Sequence, residues 1–140
     1  MLLLLAVGSS LPGVELSQVK SEPNLEKRSR LALEHADATL KEARNVYEKG
    51  EAGKTNKLIA EVRESVELAE QSLKETGKNP RKSPKYFKKA EIDTRALLKR
   101  IEGFQDEMNV NDRPSLDPLR SKVQQVHDDL LMGIMEGKHK

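Results

Sequence analysis

The chain has no cysteine and no tryptophan, and its only aromatic residues are two phenylalanines and two tyrosines. Without cysteine there is no disulfide, no thiolate metal site, no cysteine nucleophile and no attachment point for a bacterial lipoprotein lipid. So few large aromatic and β-branched side chains argue against a β or α/β core. Charge of one sign is lacking as well: 25 basic and 23 acidic residues leave a formal net charge of +2 over 140 residues. A nucleic-acid binder usually carries a larger or more concentrated basic excess, so nucleic acid is not an expected partner. Nor is there a long apolar run. Spanning a bilayer takes about 20 apolar residues, and no segment approaches that length.

What remains is rich in Leu, Ala, Glu, Lys and Arg. These residues suit long helices that need one apolar stripe and tolerate charge on their other faces. A mean hydropathy of −0.70 would also suit a disordered chain. Disorder lacks regular apolar spacing, however, and the spacing here is regular.

Residues 1–16 read as an apolar leader. The run Met1 to Val7 is followed by the small residues Gly8, Ser9 and Ser10 and by the turn-forming Pro12 and Gly13. This resembles the second half of a secretory signal peptide, lacking its positively charged opening, since no Lys or Arg precedes Lys20. The expectation is an exported protein, periplasmic or extracellular, with a cytoplasmic location as the alternative. Residues 17–140 then form a single helical domain.

The prolines are Pro12, Pro23, Pro80, Pro84, Pro114 and Pro118. Each falls between periodic segments or at a first helical turn, where proline is tolerated. A first helix over 24–49 has the seam Leu33, Ala36, Leu40, Ala43 and Tyr47, and Gly50 and Gly53 punctuate the turn after it. A second over 55–76 has Ile59, Val62, Val66, Ala69 and Leu73 on one face, with Gly77 as the residue beyond its end. The seam changes phase at the glycines, which predicts a hairpin rather than one rod. A third over 84–108, opened by Ser83 as N-cap and Pro84 at its first position, has the longest seam: Phe87, Ala90, Thr94, Leu97, Ile101, Phe104 and Met108. After a polar turn at Asn109 to Pro114, a fourth over 116–135 carries Leu119, Val123, Val126, Leu130 and Ile134. Short connections predict an all-α, up-down-up-down antiparallel four-helix bundle. The alternative is a three-helix bundle with a loosely docked fourth helix.

Three sets of residues could carry chemistry. His35 and His127 flank the seams of the first and fourth helices, which neighbour each other in a closed antiparallel bundle. A carboxylate metal bundle needs Glu-x-x-His on each of two helices, and no such pair and no His-Glu-x-x-His occurs, so two solvent-flanking histidines are expected, with no metal and no cofactor. Arg30 and His35 have an Arg-x4-His spacing similar to the motif of HEPN-type ribonucleases, themselves small helical bundles. The likeness covers two residues and would imply RNA cleavage by that pair. Leu31 stands where that family tends to have a polar residue, and positions five apart lie about 140° apart on a helix. Third, Lys78, Arg81, Lys82, Lys85, Lys88 and Lys89 gather in twelve residues with no acid among them, beside Tyr86 and Phe87. Such a cluster suits an anionic ligand or an acidic partner. Phe87 is in phase with the third seam and belongs to the core.

The leading expectation is a non-enzymatic, exported bundle that acts through protein contact or self-association, as an adaptor, chaperone-like or structural component. The alternative is a module that binds an anionic ligand with the basic 78–89 segment.

Overall fold

The computed structural model describes residues 15–137, and its regular elements there are all helices. They are α1 (Leu16–Lys20), α2 (Leu25–Glu48), α3 (Ala52–Glu75), α4 (Lys85–Glu107), a 3-10 segment (Val110–Leu116) and α5 (Asp117–Glu136). The four long helices match the four periodic segments to within three residues at every end. Most of the leader, residues 1–14, lies outside the described residues. Of its last two residues, Glu15 is the N-cap of α1 and Leu16 opens it, and Val19 of that helix is fully buried. No helix among the described residues is long and apolar enough to cross a membrane.

The seams form one core. Phe87, Ala90, Thr94, Leu97, Ile101, Phe104 and Met108 are all buried, as are Leu119, Val123, Val126 and Leu130. Burying a side chain of this size contributes about 1.5–3 kcal/mol, so α5 is an integral wall and not a loosely docked segment. Gly50 and Gly77 end α2 and α3 at φ +82° and +68°, a region open to glycine without strain. Gly53 does not belong to the turn. It lies within α3, which begins at Ala52.

Directions alternate up, down, up, down along the chain. In the first hairpin Ser29 Oγ donates to the Ala69 carbonyl at 2.9 Å, and Arg28 Nε donates to Ser72 Oγ at 2.8 Å. In the second, Gln105 Nε2 donates to Asp117 Oδ1 at 2.8 Å, and the Arg120 guanidinium stands 3.6 Å from Glu102. The hairpins meet with like-directed helices side by side. Asp37 pairs with Arg100 at 2.9 Å and Arg44 with Glu107, so α2 runs parallel to α4. Glu67 and Lys122 likewise link α3 to α5 at 3.6 Å. The first and last long helices are therefore diagonal partners rather than the neighbours expected of a simple closed ring. Residues 76–84 are long enough to cross the end of the bundle, which makes this order reachable.

The segment after α4 is more ordered than a polar turn. Gln105 is buried, donates also to the Arg113 carbonyl at 2.8 Å, and accepts from Arg120 at 3.2 Å. Tyr47 Oη donates to Asp112 at 2.8 Å and accepts the Asn109 N–H at 2.9 Å, which fixes the 3-10 segment to the end of α2.

Candidate functional site

The basic segment sits where the α3–α4 connection meets the start of α4. Its loop is held by its own polar groups. Asn79 Oδ1 accepts the backbone N–H of Arg81 at 2.9 Å and of Lys82 at 3.3 Å, a local turn that asparagine favours. Thr76 Oγ1 donates to the Leu73 carbonyl at 2.6 Å and accepts the Lys78 N–H at 3.2 Å. Gly137 lies so close that an added Cβ would stand 2.9 Å from Asn79 Oδ1, so the end of α5 braces this loop. The cations are thus presented from hydrogen-bonded backbone.

α4 begins one residue later than expected. Pro84 is the N-cap, with φ −81° and ψ −13°, and Ser83 provides no side-chain cap. No acid occupies the first turn of α4, which opens instead on Lys85 and Lys88. The partial positive charge of a helix N-terminus favours acids there and disfavours cations. This placement is electrostatically unfavourable for the free protein, and a bound anion would offset it.

The six basic residues divide into two groups. Lys78 pairs with Glu26 at 2.7 Å and Lys89 with Asp93 at 3.0 Å, so both are engaged in the fold. Arg81, Lys82, Lys85 and Lys88 have no carboxylate within ion-pair distance among the described residues; Lys85 Nζ instead stands 5.3 Å from the Tyr86 ring centre. Lys49, Lys54 and Lys57, around the α2–α3 turn at the opposite end of the bundle, are also without an ion-pair partner among the described residues. Glu48 and Glu51 lie among those lysines, whereas no acid interrupts residues 78–90.

Beside these cations is an apolar groove of 360 Å³ between the N-terminal halves of α2 and α4 and the end of α3. Leu33, Leu73 and Ala90 form its floor, Tyr86 one wall, and Arg30, Lys85 and Lys89 part of its rim. Phe87 points away into the core, as its phase predicts, while Tyr86 is 36% exposed. The groove is invisible to a reading of one helix at a time, because it exists only where α2 and α4 run in parallel.

The histidines are not solvent-flanking. His35 is 4% exposed, and its Nε2 lies 2.5 Å from Glu61 Oε2 across the α2–α3 interface. His127 Nε2 lies 2.8 Å from Glu91 Oε2 across the α4–α5 interface. A position beside a seam faces the partner helix of the hairpin, and there an imidazole needs a polar partner. The two histidines serve different hairpins and are not brought together, and no group of three metal-ligating side chains occurs among the described residues. Arg30 pairs with Glu34 at 2.9 Å on the surface while His35 is buried, so the Arg-x4-His pair points to different surroundings.

Two carboxylates are perturbed in opposite directions. Burial pushes Glu70 up, and the charge of Asp129 adds to this against the opposing Lys74 and Lys122. Its Oε2 accepts no hydrogen bond, with Lys74 Nζ 3.7 Å away. Burial also raises Glu91, but hydrogen bonds and charge from Arg95 and His127 outweigh it and leave that group lowered. Both read as structural, since each is engaged by neighbouring helical side chains. Compared with protein-family models, with curated proteins and with solved structures, the chain matches none.

Proposed function

We propose that this chain is a non-catalytic, exported helical bundle that works by protein contact, with the start of α4 and the loop before it as its surface for an acidic protein. The observation that carries this reading is the arrangement of Arg81, Lys82, Lys85 and Lys88. Four cations without a carboxylate partner among the described residues stand in the loop before a helix and in its first turn, which holds no acid. Where local structure violates an electrostatic preference, the cost is commonly balanced by function. The braced loop supports the same reading, because a preordered surface loses less entropy on binding. Export rests on the apolar character of residues 1–7 and the small residues after them.

A titration with hexaglutamate, followed by amide NMR, tests the surface. Shifts confined to residues 78–89 are expected at low salt, and they should weaken as salt screens exposed charges over a Debye length of about 10 Å at 0.1 M. The triple substitution Lys82→Glu, Lys85→Glu and Lys88→Glu should abolish them. Equal binding by that variant, or shifts centred on Lys49 to Lys57, would contradict the assignment. Export is tested separately by fractionating the source cells. Cytoplasmic protein with an intact Met1 would refute it.

A further inference from the structure

We propose that the groove between α2 and α4 receives an apolar side chain of the acidic partner segment, while a neighbouring carboxylate of that segment meets the Lys85 ammonium. This rests on the reading of the α4 start as an acid-binding surface and adds what else that surface recognises.

The groove has the physical character of a binding pocket. Its 360 Å³ lies within the range of about 300–1,000 Å³ common for ligand sites, and its floor is Leu33, Leu73 and Ala90. Ser29, the small polar residue lining it, already donates its hydroxyl to the Ala69 carbonyl. Water in such a groove finds few polar partners, so an apolar group that displaces it gains affinity.

The charges on the rim say what should flank that apolar group. Arg30 is paired with Glu34, Lys89 with Asp93, and Glu26 with Lys78. After this pairing Lys85 is the rim cation without a carboxylate among the described residues, with Arg81, Lys82 and Lys88 close to it in the chain. The complement is an apolar side chain next to several acids. Several carboxylates are needed to answer four cations, which favours a protein segment over a small amphiphile carrying one.

The test uses two synthetic acidic hexapeptides, one with a central leucine and one with serine at that position, titrated into the whole chain. The leucine peptide should bind about tenfold more tightly, the scale of burying one aliphatic side chain. It should shift the Tyr86 ring signals and leave those of Tyr47, at the far end of the bundle, unmoved. Ala90→Met, which fills the groove, should reduce the leucine peptide to the affinity of the serine peptide. Circular dichroism checks that this variant folds. Tyr86→Ser, at an exposed position, removes a wall without touching the core and should also erase most of the leucine advantage. Equal salt-sensitive binding of both peptides by the parent would overturn the groove proposal and leave the acid-binding reading standing. Binding of neither peptide would overturn both. Saturable decanoate binding with no peptide binding, sedimentation with phosphatidylglycerol vesicles alone, or a dimer dissolved by Ala90→Met would each assign the groove to another occupant and overturn the proposal.

Discussion

His35 Nε2 stands 2.5 Å from Glu61 Oε2, joining α2 to α3 through a side chain that is almost wholly buried. His127 and Glu91 make the corresponding link between α4 and α5 at 2.8 Å. Each hairpin therefore carries one histidine–glutamate bond across its own interface. The residues that most suggest catalysis or metal binding in the sequence are occupied in holding the helices together.

His35→Ala removes both the imidazole volume and the partner of Glu61. A cavity and a lost interhelical bond should together cost about 2–4 kcal/mol, measured by urea denaturation. Glu61→Ala should cost less, because the Glu61 side chain is 35% exposed and water can replace part of what it provides. Equal, near-zero effects would show that this bond does not support the fold.

Glu91 and Glu70 should respond to pH with opposite signs. Glu91 is lowered in the folded chain from the ordinary carboxyl value of 4.5, so its stabilisation is present above that pH and is lost as pH falls through the folded value. Glu91→Gln should cost about 1 kcal/mol at neutral pH and little in acid. Glu70 is raised, so the folded chain loses stability as pH rises from 4.5 through the folded value. Glu70→Gln should therefore stabilise at neutral pH, and the gain should vanish below pH 4.5. Thermal melts of parent and both variants across pH 3–8 check this, and curves of the same sign would contradict it.

Lys85→Glu with Lys88→Glu should make the free protein more stable while removing its contact surface. Each exchange replaces a cation by an acid at a helix N-terminus, an effect of about 0.3–1 kcal/mol per charge. The melting temperature of the double variant should rise by a few degrees, and the rise should shrink in high salt. An unchanged or lower melting temperature would mean that the cations are not at an electrostatic cost.

Much of the fold is legible in the sequence because apolar spacing reports which face of a helix is covered. The run from Phe87 to Met108 gives α4 and its buried face together. Spacing does not report which helix does the covering, so the parallel pairing of α2 with α4 is not readable from any seam. That pairing creates the groove, and Tyr86 beside it looks like no more than the neighbour of a core residue. The place of His35 is hidden for a related reason: a position beside a seam is solvent-facing or interfacial according to where the next helix lies. Val19 in α1 fell at the boundary of an apolar leader, where one turn of helix has too few residues to show a period. The basic segment is visible as composition, but its division into paired and unpaired cations depends on Glu26 of α2, 52 residues from Lys78.

The contact surface is tested most directly in the source cells, with a photo-crosslinking residue placed at Lys88 and, in a matched strain, at Lys54. Both lysines are exposed and lack a carboxylate partner among the described residues, but they stand at opposite ends of the bundle. A discrete protein adduct from position 88 that is absent from position 54, and lost when Lys82 and Lys85 become Glu, is the predicted result. The same adducts from both positions, or none from position 88, would contradict it.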